Sequence, residues 1–297
     1  MKCFDRSGDK APLLKRNDFT IYFPTLTPTH FYMEPFCGTL EVATRIRSEP
    51  NTKYYLNDLD GDLINFWRVL AKRQAELEEA LKYVWLGMEW EPNPDDPIDR
   101  AVQFYIRSQK KTRNDIIYHT IVKDFEPWRK WLDEHLVMFH CKDAIDFMKI
   151  YATNHHSWNL IYLDPPYHNT GAYHYSDVPF DHKKLASYLR SIRDSHVIFL
   201  SHSDDPFMRD LYADWNMLDL GTVQQVHGER REILITNQKI KGFKPVLQRT
   251  CKNCDCLSQN TLRWGRYKNV CTNESSRYYR RKVNLDGGCP SFTNLIF

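Results

Sequence analysis

The sequence lacks any apolar run long enough to span a membrane, and its N-terminal residues contain no apolar core of a signal peptide. A secreted disulfide scaffold is also excluded, because five of the eight cysteines crowd into residues 251–289. The 297 residues suffice for one large domain with an insertion or a small appendage. We therefore expect a soluble protein of the cytoplasm.

The chain has little net charge, formally +3, but its basic residues are unevenly placed. Residues 239–282 contain twelve Lys and Arg against two acids, which leaves the rest of the chain acidic overall. A second basic segment, residues 100–131, contains eight Lys and Arg against three acids. Such segments are typical of surfaces that bind a polyanion, although a solvated, flexible tail is the alternative at the C-terminal end.

Apolar runs alternate with helical patterns in the order expected of βαβ units. Strands are predicted at residues 30–34, 52–57, 136–141, 158–163 and 196–200. Helices are predicted at residues 39–47, 58–86, 144–151, 181–193 and 206–213. Residues 218–226 and 231–236 are predicted to end the sheet as an antiparallel pair. The pattern indicates an α/β fold with an open, mostly parallel sheet and helices on both faces.

A turn-rich segment at residues 89–97 interrupts this alternation, which resumes only after residue 134. We therefore expect a sheet domain in two parts, separated by an inserted helical subdomain and followed by a basic, cysteine-rich tail. The predicted bounds are 1–87 and 135–238 for the two parts, 88–134 for the insertion and 239–297 for the tail.

Asp164, Pro165, Pro166 and Tyr167 directly follow the apolar strand at 158–163. In open α/β sheets, ligands bind beyond the carboxyl ends of the strands. The Asp164 carboxylate and the Pro165 carbonyl could each accept one N–H of an adenine amine, which would turn the nitrogen lone pair toward an incoming methyl group. Tyr167 would hold a base flipped out of a duplex. Taken alone, the four residues are equally compatible with a rigid turn.

Two other strand ends contain residues suited to a cofactor. Glu34, Pro35, Phe36 and Gly38 form a turn that is expected to open a helix, and such a turn lets the backbone approach a ligand closely. Its single glycine excludes a dinucleotide fingerprint. Asp58, about twenty residues further on, is placed to accept hydrogen bonds from ribose hydroxyls; capping of the next helix is the alternative.

In this order, the segments resemble the Dam-like, α-class DNA adenine-N6 methyltransferases from residue 8 to about residue 237. The matching segments are Gly8-Asp9-Lys10, residues 34–38, Asn57-Asp58, residues 104–107, residues 164–167 and residues 231–237. The resemblance implies a Rossmann-like sheet and S-adenosylmethionine as the methyl donor.

The resemblance also implies roles for single residues. Lys10 would contact the methionine part of the cofactor, and the turn at residues 34–38 would line its pocket. Asp58 would hold the ribose, and Asp143 would lie at the cofactor adenine. Asp164 would stand between the cofactor and the target amine.

The family inserts its target-recognition region where the alternation breaks, so residues 88–134 are expected to read the DNA. The candidates for contacts with phosphates or guanines are Arg107, Lys110, Lys111 and Arg113. The implied partner is double-stranded DNA. We expect a monomer of phage or prokaryotic origin, of the kind found in restriction-modification systems.

The cysteine-rich tail lies outside the resemblance. Cys251, Cys254, Cys256 and Cys271 begin with the spacing of a zinc knuckle, but a second Cys-x-x-Cys pair is missing. A zinc site and a set of free thiols on a loose tail both stay open.

We therefore predict a site-specific DNA methyltransferase that transfers a methyl group from S-adenosylmethionine to N6 of a flipped adenine. One alternative is an RNA base methyltransferase, against which the segment around Lys10 and the insertion after Asp58 argue. The other is a catalytically silent DNA-binding decoy that kept the fold, which would not need the intact motif at residues 164–167.

Overall fold

Seven strands form one sheet in the computed structural model, which describes residues 10–86, 88–108, 118–152, 158–168, 180–225, 228–239, 257–261 and 267–271. They are β1 (Phe31–Glu34), β2 (Lys53–Asn57), β3 (Leu136–His140), β4 (Asn159–Leu163), β5 (Val197–Ser203), β6 (Asn216–Gln225) and β7 (Gly228–Thr236). Their order across the sheet is β3-β2-β1-β4-β5-β7-β6. β7 runs antiparallel to β5 and β6, whereas the other pairs are parallel. A separate hairpin pairs β8 (Leu257–Thr261) with β9 (Tyr267–Cys271).

Helices follow most of the strands. They are α1 (Ala11–Arg16), α2 (Gly61–Lys72), α3 (Gln74–Trp85), α4 (Pro97–Ser108), α5 (Tyr118–Glu134), α6 (Ala144–Tyr151), α7 (His182–Ile192) and α8 (Pro206–Leu211). Among the described residues, no helix combines the length and the apolar character that crossing a membrane requires.

The sheet is covered on both faces, as the sequence predicts. β1 and β4 are buried along their whole length, which is typical of central parallel strands between two helical layers. Because successive side chains of a strand point to opposite faces, Tyr32 belongs to one apolar cluster and Met33 to the other. The first cluster includes residues of α1–α5, and the second includes residues of α6, α7 and α8.

The helices between residues 97 and 134 share the core of the sheet domain. The ring of Phe66 in α2 lies 5.6 Å from that of Phe104 in α4, measured between centroids, and the rings of Trp67 and Trp128 are 5.0 Å apart. This packing attaches the inserted helices firmly to α2. The bounds proposed for the insertion stay a prediction.

β1 is the point at which the chain changes direction across the sheet, since β2 lies on one side of it and β4 on the other. A crevice opens beyond the carboxyl ends of the strands at such a switch point. The turn after β1, Asp58 after β2 and Asp164 after β4 therefore meet at one edge.

Two helix predictions are wrong in detail. The segment 39–47 forms only a short 3-10 turn at Ala43–Arg45, because Gly38 and Leu40 have φ values of +45° and +58°, which an α-helix cannot contain. The predicted helix at 58–86 is divided into α2 and α3 at Arg73, whose φ is −137°. The antiparallel pair at the end of the sheet is confirmed as β6 and β7.

Candidate active site

Asp164 directly follows β4, and its two carboxylate oxygens have different surroundings. Oδ1 lies 2.7 Å from Lys10 Nζ and accepts a hydrogen bond of 3.1 Å from the Ser201 hydroxyl. Tyr162, 2.7 Å from Ser201, completes this chain of hydroxyl groups. No residue in the described part of the chain donates a hydrogen bond to Oδ2. Since the side chain is 18% exposed, this second oxygen is the acceptor that the site can offer to a ligand.

Lys10 supplies the positive charge beside Asp164. It directly precedes α1. Leu13 and Leu14 of this helix are buried in the core, and they hold Lys10 beside the sheet. Its ammonium group also donates to the Tyr167 hydroxyl at 2.5 Å. Burial acts to lower the pKa of Lys10, but the Asp164 and Glu232 carboxylates outweigh it and raise that pKa. Lys10 is therefore charged throughout the physiological range.

Asp164 experiences the opposite balance. Burial raises the pKa of its carboxyl group, and the Lys10 ammonium group opposes that rise. Glu232 adds a second negative charge nearby, which also raises the pKa of Asp164. The net result is that the pKa of Asp164 lies above its ordinary value.

Tyr167 is buried under a second ion pair. Its hydroxyl donates to the Glu232 carboxylate, with oxygen–oxygen distances of 2.8 and 3.0 Å. Arg230 Nε and Nη2 contact the same carboxylate at 2.9 and 2.8 Å. The guanidinium carbon of Arg230 lies 4.2 Å from the centroid of the Tyr167 ring. Burial raises the pKa of Tyr167 well above its usual range, so the phenol stays neutral.

His202 holds the end of the loop formed by residues 164–168. Its Nε2 accepts a hydrogen bond of 3.1 Å from the backbone N–H of His168, which requires the proton to be on Nδ1. Burial lowers the pKa of His202 to about 3, so the ring is neutral. The ring centroid is 4.8 Å from that of Tyr167. His202 therefore holds both the loop and the tyrosine without adding charge.

The turn after β1 stands open beside Asp58. The backbone N–H of Gly38 donates to Asp58 Oδ2 at 3.1 Å, and the carbonyl of Gly38 accepts from Trp67 Nε1 at 3.0 Å. Apart from its neighbours in the chain, no atom of the described residues would lie within 4 Å of a Cβ built on Gly38. Phe36 lies nearby in the same turn, with its ring 5.5 Å from that of Phe180. A ligand can therefore approach the backbone here.

Asn57 connects three strand ends. Its Nδ2 donates to the carbonyls of Pro35 and Lys142, both at 3.0 Å, and its Oδ1 accepts from the N–H of Lys142 at 3.0 Å. The side chain is completely buried. This amide aligns the turn after β1 with the loop that leads to Asp143.

Glu34 and Asp143 have partners within the protein. The Glu34 carboxyl accepts a hydrogen bond from Tyr32 at 2.8 Å, and burial raises its pKa well above the usual range. Only 2% of the Glu34 surface is exposed, so this residue supports the turn from the protein interior. Asp143 caps α6 through the N–H groups of Ile145 and Asp146, at 2.9 and 3.1 Å.

Of the four residues predicted to bind DNA, the structure describes Arg107. It lies in α4, is 62% exposed, and contacts Asp62 Oδ2 at 3.1 Å. Arg100 contacts the other oxygen of Asp62 at 2.8 Å. Hydrogen bonds from these two arginines lower the pKa of Asp62. Lys110, Lys111 and Arg113 lie outside the described residues.

Sequence reasoning missed Ser201, Glu232, Arg230 and His202. Ser201 ends the apolar part of β5, which is the position from which strands of such sheets reach a ligand. Glu232 is an acidic residue inside an apolar strand, and the alternation of β7 puts it on the same face as Leu234. An acid on a buried face is unusual unless it is paired. That pattern was the available signal.

The structure describes only one of the four predicted zinc ligands. Cys251, Cys254 and Cys256 lie outside the described residues, and Cys271 ends β9. Within the described ranges, no three His, Cys, Asp or Glu residues are grouped so that they could hold a metal ion.

Comparison with known proteins identifies the family. Residues 17–142 and 125–226 match the family model of the D12 class N6 adenine-specific DNA methyltransferases, and together these segments span more than two thirds of the chain. The chain belongs to this family. The predicted kinship and the predicted adenine-specific methylation of DNA are thereby confirmed, and membership of a methyltransferase family implies S-adenosylmethionine as donor.

One curated relative is the Type II methyltransferase M.CviBI of Paramecium bursaria Chlorella virus NC1A. The chain is 25% identical to it over 231 residues, which are 69% of this chain and 84% of that protein. Solved structures with some likeness include the METTL16 MTase domain (TM-score 0.34, 8% identity, 76% of this chain and 65% of that one). Another is an rRNA methylase from Streptococcus thermophilus (TM-score 0.32, 10% identity, 78% and 99%).

Proposed function

We propose that the chain transfers a methyl group from S-adenosylmethionine to N6 of an adenine that has been flipped out of double-stranded DNA, with Asp164 receiving the amine. The observation that supports this most directly is that the two oxygens of the Asp164 carboxylate have different surroundings. Lys10 and Ser201 hold Oδ1, and no described residue donates to Oδ2. An acceptor that is oriented in advance is what an exocyclic amine requires.

The chemistry follows from the acceptors around the amine. Asp164 Oδ2 would accept one N–H and the Pro165 carbonyl the other, which removes the amine lone pair from conjugation with the ring. Lys10 opposes the rise in the pKa of Asp164 and so favours the ionised form, while the raised pKa would help the carboxylate to take up the proton that N6 loses. Positioning then accounts for most of the rate.

The residues around Gly38 fit a bound cofactor. When bound, S-adenosylmethionine supplies an electrophilic methyl group on a sulfonium. The open backbone at Gly38 and the Asp58 carboxylate beside it suit the sugar, and Phe36 offers an apolar face. We propose that Glu34 and Pro35 shape this turn, and that Asp143 lies at the cofactor adenine.

The described contacts of Lys10 favour one of two roles. Its ammonium group donates to Asp164 and Tyr167, so we propose that it orients these two side chains. A contact with the methionine part of the cofactor stays the alternative that the family resemblance implies. The values of kcat and of KM for S-adenosylmethionine in a Lys10→Met variant separate the two.

DNA would be read by residues 88–134. We propose that Arg107 together with Lys110, Lys111 and Arg113 contacts phosphates or guanines, since exposed arginines and lysines are the usual ligands of both. We still predict that the protein is a monomer and that it is located in the cytoplasm. Because the viral relative is named a Type II methyltransferase, we further propose a place in restriction-modification.

One experiment tests the reaction. The protein and its Asp164→Ala variant are incubated with labelled S-adenosylmethionine and with unmethylated DNA or RNA, and the labelled base is identified after digestion. We expect N6-methyladenine in DNA with the unchanged protein, and label reduced to background with the variant. Label in RNA alone would support the RNA methyltransferase instead. DNA binding without any label would support the decoy.

A further inference from the structure

One face of the Tyr167 ring, on which the flipped adenine would stack, is covered by the Arg230 side chain. The guanidinium carbon of Arg230 lies 4.2 Å from the centroid of the Tyr167 ring, which is cation–π distance. Tyr167 is only 7% exposed. A base cannot stack on the face that Arg230 occupies unless the guanidinium group leaves.

Arg230 is held in this position by a buried carboxylate. Its Nε and Nη2 both contact Glu232 Oε1, at 2.9 and 2.8 Å. Glu232 is 1% exposed and also accepts a hydrogen bond from the Tyr167 hydroxyl. The same carboxylate thus fixes the ring and the group that covers it.

Arg230 is also the member of this cluster that can leave most easily. Its side chain is 23% exposed, compared with 7% for Lys10 and 1% for Glu232. If it turns outward, Tyr167 keeps its hydroxyl contacts with Glu232 and Lys10. Glu232 keeps Lys10 as a counter-ion at 3.9 Å. The ring therefore stays in place when its cover is removed.

We propose that Arg230 is a positioning residue that stands in for the target base on Tyr167 before the base arrives and is displaced when the base enters. A guanidinium group is planar and stacks on aromatic faces as a base does, which makes it a suitable substitute. This inference rests on the proposed function, because it requires that a flipped adenine stacks on Tyr167. It implies that base entry competes with Arg230.

The test measures base extrusion directly. The recognition sequence is first obtained by sequencing DNA methylated by the unchanged protein, and 2-aminopurine then replaces the target adenine in a duplex. The fluorescence of 2-aminopurine, which rises when the base leaves the stack, is measured at saturating protein. Arg230→Ala should shift the extrusion equilibrium toward the flipped state by about fivefold, the factor expected from a cation–π contact of ordinary strength. Arg230→Lys should give a smaller shift.

Arg231→Ala is the matched control. It removes the same charge from the next position of β7, but Arg231 pairs with Asp219 and Asp204 instead of Tyr167. We expect its extruded fraction to equal that of the unchanged protein. Should Arg230→Ala fail to fold, as judged by thermal unfolding, Arg230→Gln replaces it.

An extruded fraction that is unchanged or lower in the Arg230 variants would overturn the inference, since Arg230 would then not compete with the base. If the unchanged protein methylates no DNA, the proposed function fails and this inference fails with it. Methylation by the unchanged protein combined with unaltered extrusion in the variants rejects the role of Arg230 alone.

Discussion

Lys10 and Asp164 form a buried ion pair, 2.7 Å from Nζ to Oδ1, that connects the segment before the first helix to the carboxyl end of the central strand β4. Lys10 and Ser201 hold Oδ1, and among the described residues Oδ2 receives no hydrogen bond, which leaves it as an acceptor for a ligand.

Replacing Lys10 by Met should lower kcat by about 100-fold, a typical loss when an electrostatic partner of the reacting groups is removed. Because Lys10 opposes the rise in the pKa of Asp164, that pKa will be higher in the variant. The ionised form is required, so activity will be lost at a higher pH as the pH falls. The measurement is kcat as a function of pH.

Lys15→Met, at an exposed position of α1, is the control for this variant. It should leave both kcat and the acidic limb of the pH profile in place. A Lys10→Met protein with normal kcat and a raised KM for S-adenosylmethionine would contradict the role in orienting Asp164. It would support the cofactor contact instead.

Glu232→Gln should destabilise the protein by about 3–5 kcal/mol, the usual cost of removing one partner from a buried charge cluster. The variant leaves Asp164 as the carboxylate paired with Lys10 among the described residues, and it removes the carboxylate that Arg230 Nε and Nη2 contact. Urea unfolding followed by fluorescence measures the change. Glu229→Gln, at an exposed position of the same strand, should cost less than about 1 kcal/mol. Equal effects of the two substitutions would refute the proposed cluster.

Asn57→Asp should destabilise the protein by about 3 kcal/mol or more, although the two side chains have nearly the same shape. A carboxylate cannot donate to the carbonyls of Pro35 and Lys142, so it would face two acceptors in a buried position. Thermal unfolding of the purified variant measures the loss. Asn51→Asp is the surface control and should change stability by only about 0.5 kcal/mol. A small effect at Asn57 would mean that the loops are aligned in another way.

Arg107→Ala should leave stability within about 1 kcal/mol, since its ion pair with Asp62 is exposed. If Arg107 contacts a phosphate, DNA affinity should fall, and the slope of log affinity against log salt concentration should decrease by about one. Fluorescence anisotropy at several salt concentrations gives both quantities. Unaltered affinity and slope would assign Arg107 to the Asp62 pair alone.

Much of the sheet and the central motif could be predicted from local pattern. The apolar run before Asp164 and the two prolines after it indicate a strand that ends at a ligand edge, and this is where β4 ends. No feature of the local sequence argues against the helix predicted at 39–47, because leucine has no preference for the positive φ that Leu40 adopts. Tertiary contacts impose it.

The ion pairs were harder to predict. Glu232 contacts Tyr167 and Lys10 only because β7 is inserted between β5 and β6, so that just one strand, β5, separates it from β4 and the motif that follows β4. No spacing along the chain predicts that encounter. Burial determines it, together with the need for each enclosed charge to find a partner.

The division between the two oxygens of Asp164 also bears on the product. An unmodified adenine amine has two N–H bonds, one for Oδ2 and one for the Pro165 carbonyl, whereas N6-methyladenine has only one. After a single transfer, the base has one N–H left and can no longer satisfy both Oδ2 and the Pro165 carbonyl. On the proposed chemistry, the geometry of one carboxylate thus limits the enzyme to a single methyl group per adenine and favours release of the modified base.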